Sequence, residues 1–86
     1  MRLVTAHMPR YYFNLRGRDA LLQDEHGIPL PDGESAWYQA VRSAREVIRA
    51  DLQIGIGWDG QAIEIIDESG IRIDEVPLHE VAQVFL

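Results

Sequence analysis

The chain has 86 residues, a formal net charge of −6 at pH 7 and no cysteine. A domain of this length buries only about 60% of the surface that its unfolded chain exposes, so its core is small and contact with a second copy would add to its stability. The absence of cysteine excludes disulfides and thiolate metal sites, and the acidic balance disfavours a nucleic-acid coat protein, because non-specific binding of this kind depends on a basic surface.

The first seven residues have the character of an extension. Met8 and Pro9 resemble a second start, and the first strand pattern follows them directly, so we expect residues 1–7 to be disordered and residues 8–86 to form a single domain. The opening residues are too few for the apolar stretch of a signal peptide, and no apolar run approaches the roughly 20 residues that span a bilayer. We therefore expect a cytoplasmic protein without a membrane segment.

Alternating apolar side chains predict a strand that begins at Arg10. Tyr11, Phe13 and Leu15 form its apolar side, and a turn at residues 17–19 returns the chain. Residues 20–23 are then expected to form a second strand and to complete a hairpin with the first.

Two segments have nearly the same sequence, residues 24–28 (DEHGI) and residues 67–71 (DESGI). Aspartate at the first position and glycine at the fourth are typical of tight turns, since aspartate accepts backbone N–H groups and glycine adopts a positive φ. We expect each segment to reverse the chain. A calcium loop needs about six oxygen ligands from a longer segment, so neither turn is expected to hold a metal ion. After the first turn, residues 28–31 should run extended at a sheet edge or in a linker, because two prolines cannot donate to a central ladder.

One long amphipathic helix is predicted between the two turns. Asp32 is a suitable N-cap, Glu34 favours the positive end of the helix dipole, and glycines at positions 55 and 57 end the helix. Trp37 falls within the apolar arc and is expected in the core. The apolar positions at helical spacing are Ala36, Trp37, Ala40, Val41, Ala44, Val47, Ile48 and Leu52.

Two further strands are predicted at residues 61–66 and 71–76, joined by the second turn, and Pro77 can open a short helix over residues 78–86. The fold class that follows is α+β. Two hairpins and a helix in the order ββαββ form a two-layer sandwich of an antiparallel sheet and one long helix, with a short C-terminal helix.

The predicted long helix carries a stripe of one aromatic and three basic side chains. Tyr38, Arg42, Arg45 and Arg49 follow spacings of four, three and four, so they share one face. Guanidinium groups bind phosphate or carboxylate bidentately and an aromatic ring can stack on a base, which makes this arginine stripe a candidate site for RNA or another polyanion. The alternative is a solvated face whose arginines pair with nearby carboxylates at roughly 0.3–0.5 kcal/mol each.

A second candidate surface lies in the glycine-rich connection after the helix. Ile54, Ile56 and Trp58 either fold back over the sheet edge or contact a partner protein or a second copy. We keep both alternatives at this point.

The sequence contains no assembled catalytic set. His7, His26 and His79 are far apart, and none has a metal-ligand partner at a spacing such as i, i+4. We expect no enzyme activity, no cofactor and no metal. The alternative from the enzyme class is a small hydrolase or isomerase centred on His26, which has carboxylates beside it.

Several segments together resemble a family of small bacterial domains of unknown function. They are residues 8–16 (MPRYYFNLR), residues 24–32 (DEHGIPLPD), the alanine-rich helix and residues 63–70 (IEIIDESG). The resemblance implies a fold and a bacterial setting, and it implies a chain that begins near Met8. It supplies no catalytic residue.

The segment from residues 24–32 into the alanine-rich helix is also similar to the antitoxin of HicAB-type toxin-antitoxin pairs. The chain departs from that pattern, because it lacks the Pro-Gly-Cys-like turn after Asp32 and an appended DNA-binding element.

The function that we predict is a non-enzymatic protein-interaction or regulatory module that self-associates or binds a protein partner. The alternatives are polyanion binding through the arginine stripe and an antitoxin-like component.

Overall fold

The computed structural model describes residues 7–52 and 60–85 of the chain, and they form a five-stranded antiparallel sheet with one long helix against it. The predicted α+β class is confirmed. The elements in chain order are β1 (Arg10–Arg16), β2 (Leu21–Leu22), β3 (Ile28–Pro29), α1 (Gly33–Leu52), β4 (Ala62–Ile66), β5 (Arg72–Pro77) and α2 (Leu78–Phe85).

β1 is the central strand of the sheet. One side of it pairs with β4, which pairs in turn with β5. The other side pairs with β2 near Arg16 and with β3 near Arg10. β3 therefore lies at an edge, as the two prolines predicted, and the Leu30 N–H next to it donates to the Pro9 carbonyl at 3.0 Å.

The two turns of similar sequence differ in what they do to the chain. Residues 67–71 join β4 to β5 as a hairpin, as predicted. β2 and β3, by contrast, both run antiparallel to β1 and so run in the same direction, with residues 23–27 looping out between them. The prediction that residues 24–28 reverse the chain is wrong, because the turn chemistry sets only the local backbone geometry. The following segment pairs with the part of β1 that is still open.

The core lies between α1, α2 and one face of the sheet. Asp32 caps α1 as predicted, since its Oδ1 accepts the Ser35 N–H at 2.8 Å. Three alanines of α1 are fully buried, and their short side chains let the helix lie close to the strands. The buried cluster consists of Tyr11, Ala36, Ala40, Val41, Ala44, Ile48, Ile63, Ile65, Val76, Leu78 and Val81.

Trp37 is not part of this core. Its side chain is 41% exposed, so the prediction that it is buried is wrong. Trp37 does lie towards the core side of α1, but the sheet ends at β5 on that side and α2 leaves a groove beside the indole ring.

Among residues 7–52 and 60–85, no helix combines the length and the apolar character needed to cross a membrane. Of the predicted N-terminal extension, only His7 lies within the described residues, and its Nε2 is 3.0 Å from Glu68 Oε2.

Candidate interaction surface

The two acidic turns meet at the same end of the sheet, on either side of the start of β1. Arg10 connects them: its N–H donates to Glu68 Oε1 at 3.1 Å, and its guanidinium donates to the His26 carbonyl at 2.9 Å. Two turns that are 43 positions apart by their first residues, Asp24 and Asp67, therefore form one polar region.

In the first turn, side chains replace the strand pairing that the loop interrupts. The Phe13 N–H of β1 donates to Asp24 Oδ2 at 3.1 Å, and the Asp24 N–H donates to Asn14 Oδ1 at 2.9 Å. Asn14 faces away from α1 and is nevertheless only 7% exposed, because the loop covers it. Backbone groups that β2 and β3 leave unpaired are satisfied in this way, which removes the cost of burying them.

The carboxylates of the two turns are held by backbone donors. Partial burial raises the pKa of Asp24, but N–H donors from Gly27, Phe13 and His26 favour the charged form more strongly, so its pKa lies below the usual value. The pKa of Glu68 is also lowered, first by the hydrogen bond from His7 and then by the Arg10 N–H. These groups therefore stabilise the fold in their ionised form.

We expect acid to destabilise the protein. Because the folded-state pKa of Asp24 and Glu68 lies below the unfolded-state value, the unfolded chain takes up the proton first. Their contribution is complete above the unfolded-state pKa values near 4 and is lost as the pH falls through the folded-state values. The urea midpoint should stay level from neutral pH to about pH 5 and then fall. Glu25→Gln, which changes an exposed carboxyl of the same loop, should keep this profile. A midpoint that rises on acidification would contradict the assignment.

A cavity of about 390 Å³ lies between the two turns on the sheet face opposite α1. Asp24, Asp67 and Glu68 line it, but each of these carboxylates already accepts backbone N–H groups. Within the described residues, no three His, Asp or Glu side chains are placed to hold a metal ion together. His26 does not line the cavity, and the hydrolase alternative stays a prediction.

The same sheet face carries an ion-pair network that sequence analysis missed. Arg16 contacts Glu64 at 3.1 Å and Glu75 at 2.7 Å, and Arg72 contacts the same two carboxylates at 3.3 and 3.2 Å. All four charges come from outward positions of β1, β4 and β5. Arg72 and Glu75 are three residues apart in β5, and they share this face because the pairing of β4 with β5 shifts register at Ile65 and Ile66. An alternating pattern read from the sequence does not reveal this shift. With two positive and two negative members, the network gives this face no basic surface.

The four residues of the predicted arginine stripe all lie in α1. Tyr38, Arg42 and Arg49 are exposed, whereas Arg45 is half-buried and has an interaction partner. Polyanion binding by this stripe stays a prediction. The other predicted contact, Ile54, Ile56 and Trp58, lies outside the described residues.

An apolar groove of about 240 Å³ lies between α1, α2 and the end of β5, and we call it the α1–α2 groove. Trp37 and Val84, which is 73% exposed, line it together with two carboxylates, Glu75 and Glu80. The remaining lining residues are Val41, Val76, Pro77 and Val81.

The apolar surface continues past the groove along the start of α1. A β-carbon on Gly33 would lie 3.9 Å from Ile73 Cδ1, so the exposed Ile73 side chain lies one helical turn from Trp37. On the other side, the Trp37 ring meets Tyr38 edge to face, with 5.2 Å between ring centroids. Sequence analysis missed this surface because it exists only where α2 packs against α1. The adjacent aromatic residues at 37 and 38 were the available signal.

Comparison with known proteins identifies the family and leaves the activity open. Searches of curated proteins and of solved structures gave no match. The family model named Domain of unknown function (DUF6894) matches residues 10–79, a range that runs from the start of β1 into α2 and includes both acidic turns. The resemblance in the sequence to a domain family of unknown function is thereby confirmed, and the chain belongs to the DUF6894 family.

Proposed function

We propose that the protein is a non-enzymatic protein-interaction module and that the α1–α2 groove is its contact surface. The observation that supports this most is that two large, exposed apolar side chains line one groove of a small domain. Trp37 is 41% and Val84 is 73% exposed, and both line the same groove. Full burial of an aliphatic or aromatic side chain is worth about 1.5–3 kcal/mol, so a partner that covers this surface gains from several such residues.

The composition of the surface also favours protein contact. Aromatic residues are enriched in interface cores, and Trp37 and Tyr38 present two rings that already hold each other at a fixed angle. Rings fixed in this way lose little side-chain entropy when a partner covers them, which improves the net gain.

Side-chain contact fits this surface better than the addition of a strand to β5. An open sheet edge offers unpaired backbone groups to a partner strand. At β5 the Glu75 N–H already donates to Asp74 Oδ1 at 2.8 Å, so one of these groups is occupied. The groove beside the edge, rather than the edge itself, is the surface that we assign.

Two matched substitutions test the proposal. Val84→Asp places a carboxylate in the groove, and Leu22→Asp makes the same change at β2, where Leu22 is 70% exposed and outside the groove. We expect the immobilised protein to retain a set of proteins from a bacterial lysate, identified by mass spectrometry. Val84→Asp should lose this set because a buried unpaired charge opposes binding, and Leu22→Asp should keep it.

Equal retention by the two variants would rule out the groove as the contact surface. If the parent protein retains nothing, neither other proteins nor its own copies, the interaction function itself falls. Circular dichroism of both variants checks that they are folded, which we expect because both positions are exposed.

A further inference from the structure

We propose that the cavity between the two acidic turns binds an arginine side chain of a peptide, and that Asn14 and Asp67 are its main polar contacts. This cavity lies on the sheet face opposite α1 and shares no lining residue with the α1–α2 groove, so the inference does not depend on the proposed contact surface. Its volume of about 390 Å³ is at the lower end of the range for ligand pockets, which fits one side chain better than a larger group.

The amide of Asn14 points to a ligand because half of it has no partner. Asn14 is only 7% exposed, and its Oδ1 accepts the Asp24 N–H at 2.9 Å, which fixes the orientation of the amide. Within residues 7–52 and 60–85 this N–H is the one hydrogen-bond partner of the Asn14 side chain. Every fully buried side-chain nitrogen or oxygen in that part of the chain has a partner, so the NH₂ group of Asn14 is accessible. Because Asn14 lines the cavity, the NH₂ group is a fixed donor that opens into it.

The charge around the cavity selects a cation. Within the described residues, four carboxylates and no basic side chain line it. Asp24 and Glu68 use both of their oxygens in contacts inside the protein. Asp67 uses only Oδ1, and Glu25 makes no hydrogen bond or ion pair with another described residue, so each turn leaves carboxylate oxygen free for a ligand.

The remaining wall favours an arginine over a simple cation. Tyr12 and Ile66 face each other across β1 and β4, are half-buried and line the cavity. A guanidinium group stacks on an aromatic ring and donates from a planar fork, and its aliphatic stem can pack on Ile66. The peptide carbonyl of the same arginine supplies the acceptor for the Asn14 NH₂ group. Free arginine fits less well, because four carboxylates around the cavity repel its α-carboxylate.

Titration of the ¹⁵N-labelled protein with Nα-acetyl-L-arginine amide, followed by NMR, tests the site. We expect a dissociation constant of about 1 mM and a shift of the side-chain NH₂ resonances of Asn14. The citrulline analogue has the same shape without the charge and should bind at least about tenfold more weakly. Equal binding of the citrulline analogue, or no shift at Asn14, would overturn the site. Free arginine that binds as tightly would overturn its assignment to a peptide.

Asp67→Asn and Asp19→Asn are the matched variants. Asp67→Asn keeps both hydrogen bonds of its turn but removes the charge at the cavity, so the protein should stay folded and the dissociation constant should rise about tenfold or more. Asp19→Asn removes the same charge from an exposed position after the far end of β1, outside the cavity, and should leave the dissociation constant close to that of the parent. Parent-like binding by Asp67→Asn, or an equal loss in both variants, would overturn the proposal. The spectra of the free variants show whether each is folded.

Discussion

Replacing Gly27 with alanine is expected to destabilise the protein by about 3 kcal/mol, the sum of a backbone and a packing cost. Gly27 has φ of 69°, a conformation that costs a residue with a side chain roughly 1–2 kcal/mol. A β-carbon there would also lie 2.8 Å from the Tyr11 carbonyl oxygen and 2.9 Å from Arg10 Cγ and Tyr12 Cε1. The oxygen belongs to the central strand, so relief of the clash requires the loop to move off β1.

Gly70→Ala provides the matched control in the second turn. Gly70 has φ of 85° and occupies the same position of a turn with nearly the same sequence, but a β-carbon on Gly70 would have nothing within 4 Å of it. Only the backbone cost of about 1–2 kcal/mol applies. Urea unfolding followed by circular dichroism gives both values. Equal losses for the two variants would mean that close packing against β1 does not hold the first loop.

The different roles of the two turns mark the limit of what local sequence predicts. Both DExGI segments provide an aspartate acceptor and a glycine with positive φ, and both features are present as predicted. Whether the chain then reverses depends on which side of which strand is still unpaired. The segment after residues 24–28 pairs with the start of β1, whereas the segment after residues 67–71 pairs with β4.

The long helix was predicted well because its pattern is local and repeats over many residues. The 20-residue helix α1 repeats its apolar pattern over several turns, so the helix follows from spacing, and its start follows from the Asp32 cap. The predicted end signals, glycines 55 and 57, lie outside the described residues. The exposure of Trp37 could not be predicted in this way. Its position on the helix points it towards the core, but the place where the sheet ends and α2 begins to pack is set by contacts between distant segments.

The candidate surface was predicted only in its parts. The adjacent aromatic residues at 37 and 38 were visible in the sequence. Glu80 and Val84 of α2 lie far along the chain and line the same groove only because tertiary packing brings α2 against α1. Binding sites that are assembled from separate elements are hidden from a local pattern for this reason.

Asp24→Asn is expected to cost about 2 kcal/mol although it keeps the size of the side chain. Both carboxylate oxygens of Asp24 are used: Oδ1 accepts the N–H groups of His26 and Gly27, and Oδ2 accepts the Phe13 N–H. An asparagine has one oxygen and one NH₂ group, so either orientation of the amide places a donor against an N–H. If the oxygen stays with the loop, the part-buried Phe13 N–H of β1 loses its acceptor, and an unsatisfied group of this kind costs about 1–3 kcal/mol.

Asp67→Asn should be nearly neutral, within about 0.5 kcal/mol, because the second turn uses only one oxygen. Asp67 Oδ1 accepts the N–H groups of Ser69 and Ile71 at 2.9 and 3.0 Å, and an asparagine can keep both bonds while its NH₂ group faces the cavity. The comparison by urea unfolding at neutral pH therefore separates a carboxylate that joins a loop to a strand from one that only closes a turn. Equal stability of the two variants would mean that the bond from Asp24 to Phe13 contributes nothing to the pairing of the loop with β1. A difference in the expected direction would identify Asp24 as the group that pairs with the backbone of β1 in the gap between its contacts with β2 and β3.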